Sequence, residues 1–116
     1  IELGFHSFNH NNYKELSILE TEKDFEACKR IIAEYDLPVQ NVLAYPYGKY
    51  PRQNLEQADF FKCLENNKID YGLRIGNRVN IFPFKNNYEV QRIDMKGEDS
   101  FLKFKWKLRL GKLKLF

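Results

Sequence analysis

Two histidines near the start of the chain are the residues best suited to chemistry. His6 and His10 stand in the segment GFHSFNH, residues 4–10, and are the only histidines in the sequence. Two imidazoles at this spacing can converge on one ion, from one turn of helix or from a tight loop, and imidazole suits zinc and other borderline divalent metals. The spacing therefore indicates a candidate metal site. The alternative interpretation is a pair of surface polar residues in an asparagine-rich loop.

A second candidate lies in the aromatic segment Tyr45-Pro46-Tyr47-Gly48. It follows a predicted strand, just as His6 follows the first predicted strand of the chain. In parallel α/β folds, ligands bind at the carboxyl ends of the strands. We therefore expect the two segments to open onto the same face of the fold. The alternative for this segment is an ordinary aromatic turn.

The elements that must position these residues alternate between strands and helices. Four short apolar stretches predict strands, over residues 1–6, 41–45, 69–75 and 88–95. Apolar side chains recur at helical spacing from Phe25 to Tyr35, with Thr21 as the expected N-cap and Asp24 as its capping-box partner. A second helix is expected over residues 53–67.

This alternation predicts an α/β fold with parallel strands and right-handed crossovers. A complete eight-unit barrel takes roughly 250 residues, so the 116 residues correspond to about half of one. We therefore expect a partial barrel over residues 1–97, followed by a basic amphipathic element over residues 98–116. Cys28 and Cys63 lie on or near the apolar sides of the two helices and are expected to be buried free thiols.

Composition and charge place the chain among globular proteins and set its last residues apart. The net charge is +3, and 43% of the residues are hydrophobic. Removing the six cations of residues 101–116, a segment with no acid, leaves −3 for the rest of the chain. No apolar run is long enough to span a bilayer.

The basic segment allows more than one structure and role. Strict alternation over residues 104–110 favours a strand, whereas Phe101, Phe104, Leu108 and Leu115 fit one face of a helix capped by Asp99 or Ser100. We expect a helix that packs over the body with its lysines in water. The apolar side chains available for that packing are Phe101, Phe104, Trp106, Leu108 and Leu110. The alternative is contact with an anionic membrane surface or glycan, and a nucleic-acid partner is not favoured.

Two motifs resemble a known family. HSFNH, residues 6–10, resembles the His-Ser/Thr-x-x-His metal motif of the polysaccharide deacetylases, the metal-dependent carbohydrate esterases related to the nodulation chitooligosaccharide deacetylase. LAYPYG, residues 43–48, resembles that family's Pro-Tyr-Gly loop, in the form found in biofilm-exopolysaccharide deacetylases. Residues 68–73 and 91–94 resemble two later strands, so the resemblance covers residues 2–95.

The resemblance implies a deformed (β/α) barrel that removes acetyl groups from N-acetylhexosamine units of a polysaccharide or oligosaccharide. His6 and His10 would bind a divalent metal, zinc in the first place, with cobalt, nickel and manganese as alternatives. The backbone N–H of Tyr47 would donate to the oxyanion. The expected substrate contacts are Tyr45, Pro46 and Arg92. The sequence does not determine the compartment, and the bacterial cytoplasm and the cell envelope are both open.

The chain also departs from the family pattern. The family's paired aspartates precede the histidine motif, whereas Glu2 is the only acid ahead of His6; Ala44 stands where the family has Arg; and no histidine follows His10. The missing N-terminal portion of the domain would have to supply these groups. Three hypotheses follow: an enzyme, a catalytically incomplete module that binds glycan or metal, and an α/β piece that docks through its basic segment.

Overall fold

The chain folds around one parallel sheet. The computed structural model describes residues 1–112. Its four strands, all parallel, lie in the order β1 (Leu3–Phe5), β2 (Val39–Ala44), β3 (Tyr71–Ile75) and β4 (Val90–Arg92). The helices are α1 (Ile18–Glu34) between β1 and β2, α2 (Asn54–Asn66) between β2 and β3, and α3 (Phe101–Leu110) after β4. The predicted α/β alternation is confirmed. The sheet is open, which is consistent with a partial (β/α) barrel.

The core lies between the sheet and the first two helices. Phe5 of β1 and Leu43 of β2 point to this helix-covered face and pack with Phe25 of α1 and Phe60 of α2. Because side chains alternate along a strand, the next residues of β1 and β2 face the other way. That side forms an open trough of about 510 Å³, whose lining includes Gly4, His6, Val42 and Ala44.

Helix α1 begins four residues earlier than predicted. Its N-cap is Ser17, whose hydroxyl accepts from the Glu20 amide, while the Glu20 carboxylate accepts from the Ser17 amide. The expected N-cap Thr21 lies inside the helix and donates to the Ser17 carbonyl. Ser17-x-x-Glu20 and Thr21-x-x-Asp24 both match the capping-box pattern. The first pair forms it, and Asp24 is left free for another role.

The remaining boundaries differ mainly at the ends of the strands. β1 and β4 are three residues long, shorter than the stretches predicted over residues 1–6 and 88–95. Cys63 is buried and Cys28 is half-buried, and both are free thiols, as expected. Across residues 1–112 there is no helix of the length and apolarity needed to cross a membrane.

The basic segment forms a helix, as expected, but its burial is the reverse of the prediction. Ser100 caps the N-terminus of α3. The apolar side chains of this helix are exposed, from 40% for Phe104 to 71% for Phe101. Lys107 is instead buried, where its ammonium group contacts Asp99 and donates to the Asp94 carbonyl. The helix is thus attached through a charged side chain, and the expected apolar packing is wrong. Leu115 lies outside the described residues.

Candidate active site

The first histidine follows β1 directly and is oriented by β2. His6 Nδ1 lies 2.7 Å from the carbonyl oxygen of Ala44, the last residue of β2. A carbonyl only accepts, so Nδ1 carries a proton, and in the neutral imidazole the metal-binding lone pair is the one on Nε2. A backbone carbonyl on one ring nitrogen is a common way to orient a histidine whose other nitrogen binds a metal.

The second histidine lies beside the first. His10 adopts a left-handed backbone conformation, with φ 55°, and the ring centroids of His6 and His10 are 4.8 Å apart. Two imidazoles that bind one zinc ion tetrahedrally, with nitrogens at about 2.0–2.1 Å, have centroids roughly 5 Å apart. The distance between the two rings is therefore compatible with two ligands of one ion. Within residues 1–112, no group of three His, Cys, Asp or Glu side chains is placed to hold a metal.

The aromatic turn after β2 meets the histidine loop. Tyr47 lies in a tight turn over Pro46–Gly48, has φ 60°, and packs its ring edge-on at 4.7 Å from that of His10. The turn is closed by the amides of Gly48 and Lys49, which donate to the carbonyls of Tyr45 and Pro46. The Tyr47 amide is not one of these donors. The two motifs therefore lie together, as their positions after neighbouring strands predicted.

Gly48 is required for this turn to pack against the next strand. Its φ is +65°, and a Cβ there would lie 2.8 Å from the Cβ of Ile75 on β3. Any larger residue would have to displace that strand or the turn. The glycine therefore sets the distance of the Tyr47 backbone from the sheet.

Tyr45 and Pro46 occupy the core and not a substrate surface, which corrects the expectation for both side chains. Tyr45 is fully buried, stacks on Tyr50 at 4.7 Å between centroids, and donates from its hydroxyl to the Tyr88 carbonyl at 2.7 Å. Burial raises the pKa of Tyr45, so its phenol remains a donor. Pro46 is also fully buried. Tyr45 anchors the start of the turn from inside.

Arg92, at the end of β4, reaches the same turn from the other side. Its guanidinium donates to the Tyr45 carbonyl at 3.3 Å, and burial lowers its pKa. Arg92 also borders an opening of about 500 Å³, lined by Ile75, Asn77, Ile93, Asp94 and Met95. Its Nε is buried without a partner among the described residues.

The sequence of residues 1–62 matches the family model for polysaccharide deacetylase. The chain belongs to the polysaccharide deacetylase family. Members are deacetylase-type carbohydrate esterases, generally metal-dependent, that act on acetylated carbohydrates. The matched segment contains both motifs of the site and ends within α2. No curated protein and no solved structure matches the chain.

In this polysaccharide deacetylase, a buried acidic residue of α1 contacts the histidine loop. Asp24 of α1 is 6% exposed and accepts from the Tyr13 hydroxyl at 2.6 Å and the Ser7 hydroxyl at 2.8 Å. Burial, and next the hydrogen bond to Asp24, raise the pKa of Tyr13, which keeps its phenol protonated. Sequence patterns missed both Tyr13 and Asp24. A lone tyrosine in a polar connection and an acid inside a helix gave no local signal of their contact.

Proposed function

We propose that this protein is a metal-dependent hydrolase that removes acetyl groups from N-acetylhexosamine units of a polysaccharide or oligosaccharide. The observation that carries the proposal is the His6–His10 pair beside the Tyr47 turn, with His6 Nδ1 on the Ala44 carbonyl and its Nε2 free. A family match alone would not require this arrangement. Two surface histidines without a shared role would not be expected to adopt this arrangement.

In this proposal, His6 and His10 bind one divalent ion, zinc in the first place and cobalt, nickel or manganese as alternatives. They account for two of the three protein ligands that catalytic zinc sites use. When bound, the ion would polarise the amide carbonyl and lower the pKa of its water. Water adds to the acetamide carbon and the C–N bond breaks, giving acetate and the free amine.

Tyr47 contributes its backbone to this proposed reaction. Its amide lies in the turn beside His10 and is not used to close that turn. A fixed donor aimed at the developing oxyanion contributes about 2.7–4 kcal/mol where it has been measured for a side chain. Arg92 remains a proposed substrate contact, because its guanidinium borders an opening at the end of β4.

The test compares variants that separate the metal ligand from its orienting contact. His6→Asn places an amide near the position of Nδ1, where it can still donate to the Ala44 carbonyl, and removes Nε2. We expect this variant to keep the wild-type melting temperature and to lose most bound metal and acetate release from acetylated chitooligosaccharides. Asn9→Ala, at an exposed position in the same loop, is the matched control. Equal metal occupancy in wild type and His6→Asn would refute the assignment.

A second candidate function is a module that binds glycan or metal without turnover. It is favoured by the lack of a third metal-binding side chain near the histidines within the part of the chain that the structure describes. The same experiment separates the two. Metal binding that depends on His6, with no acetate released from any acetylated amino-sugar polymer, supports the binding module and excludes the enzyme.

A further inference from the structure

We infer that Asp24 is the positioning residue of the metal-binding loop: it holds the backbone between His6 and His10 in the conformation that brings their imidazoles together. The inference rests on the proposed metal site. Asp24 does not contact the histidine rings, and it would act on the ion only through the loop. No local sequence pattern assigns it this role.

The contacts of Asp24 are concentrated on the segment that joins the histidines. One carboxylate oxygen, Oδ1, accepts from the Ser7 hydroxyl at 2.8 Å, the Phe8 amide at 3.0 Å and the Asn11 side chain at 3.3 Å. The other oxygen accepts from the Tyr13 hydroxyl. Two of the four donors therefore lie between the histidines, Asn11 directly follows His10, and Tyr13 belongs to the core.

The loop requires such an anchor because its backbone is unfavourable for these residues. Ser7 and His10 have φ of 62° and 55°, a left-handed region that non-glycine residues occupy only where the surrounding structure holds them there. Ser7 Oγ also accepts from the Asn11 amide at 3.0 Å, which closes the loop across His10. Without Asp24, the Ser7 hydroxyl and the Phe8 amide would lose their acceptor.

The location of Asp24 makes it suitable for this role. It lies in the second turn of α1, a 17-residue helix whose start is fixed by the Ser17 capping box. Its carboxylate is buried beside Tyr13, which is fully buried. A site is held most accurately when its loop is attached to a rigid element. Outer-shell partners of metal ligands affect metal affinity by about 10–100-fold.

The experiment measures Co²⁺ affinity and the visible spectrum of the bound ion in the wild type and in a set of single variants. Asp24→Ala should weaken Co²⁺ binding by about 10–100-fold and alter the spectrum. Asp24→Asn should restore most of the affinity, because its amide oxygen can accept from the loop and its NH₂ can donate to Tyr13. Glu26→Ala, an exposed acid on the same helix, should change nothing.

Tyr13→Phe separates positioning from general stability. It removes the core-side hydrogen bond of Asp24 and leaves the three loop contacts. It should therefore lower the melting temperature while Co²⁺ affinity and spectrum stay as in the wild type. If affinity instead falls in proportion to stability across all variants, Asp24 is a structural residue only and the inference is wrong.

The outcomes also separate this inference from the proposed function. Wild-type Co²⁺ affinity in Asp24→Ala, together with loss of binding in His10→Ala, would overturn the role of Asp24 and leave the metal site intact. Failure of the wild type to bind Co²⁺ would overturn both. If Asp24→Ala does not fold, Ser7→Ala serves in its place, since it removes a loop donor to Asp24. Wild-type Co²⁺ affinity and an unchanged spectrum in Ser7→Ala would then refute the inference.

Discussion

Replacing Tyr45 by Phe tests whether this residue belongs to the core or to the substrate site. The substitution removes one oxygen atom and keeps the ring that stacks on Tyr50. That oxygen donates to the Tyr88 carbonyl at 2.7 Å, and Gly72 provides the space for it, because a Cβ there would lie 2.0 Å from the hydroxyl. The hydroxyl therefore links β2 to the segment just before β4, across β3.

The size of the effect follows from what the carbonyl loses. Leaving a buried acceptor without its donor costs about 1–3 kcal/mol. For a domain of this size, each kcal/mol lowers the melting temperature by roughly 4 °C. We therefore expect Tyr45→Phe to lower the free energy of unfolding by about 1–3 kcal/mol, with no change in the ring packing that would add a cavity cost.

The assay combines urea unfolding with steady-state kinetics on an acetylated chitooligosaccharide at a temperature where both proteins are folded. We expect lower stability and a kcat/KM close to that of the wild type. Tyr35→Phe, the same chemical change at a residue that is 65% exposed, is the control and should be neutral. Unchanged stability with a tenfold loss of kcat/KM would show that the phenol acts on the substrate and that the core assignment is wrong.

Three further predictions concern the turn and the last helix. Tyr47→Phe should leave kcat within a few-fold of the wild type, because we assign the reaction to its backbone N–H; a loss above about 100-fold would indicate a phenol in proton transfer. Trp106→Ala should lower the melting temperature only slightly, because Trp106 is 44% exposed. Lys107→Met should lower it markedly, because the buried contacts of Lys107 with Asp99 and Asp94 are lost. The opposite ranking in thermal unfolding would contradict the observed orientation of α3. The hydrogen bond from Lys107, followed by that from the Lys96 amide, holds the pKa of Asp99 below its usual range. The resulting stabilisation is present above the unfolded carboxyl pKa of about 3.9 and is lost as the pH falls below it. Acid titration followed by circular dichroism should show this loss in the wild type and not in Asp99→Asn.

The order of the elements and the meeting of the two motifs could be predicted from the sequence, because both depend on local patterns. Apolar runs and helical spacing identified strands and helices, and parallel connectivity brought the ends of β1 and β2 together. The start of α1 was misplaced because two capping-box patterns overlap, and Ser17 with Glu20 forms the one that is used.

The contacts that support the site could not be predicted in the same way. Tyr45 reaches a carbonyl 43 residues away, and Asp24 reaches a hydroxyl 17 residues away. Such pairs depend on how α1 and the strands pack, which no local pattern encodes. For α3, the pattern identified the helix, but a buried ion pair with Asp99 placed Lys107 inward and left the apolar residues exposed.

The left-handed backbone at Ser7, His10 and Tyr47 has a consequence for how the protein opens. Each of these residues stores unfavourable conformational energy, so the loops that carry them open more readily than the strands below. In native-state hydrogen exchange, their amides should exchange through local fluctuations at free energies below that of global unfolding. Amides of β2 should exchange only through the global transition. Mild denaturant would therefore disrupt the site while the sheet remains folded, and refolded preparations should be judged by metal content as well as by secondary structure.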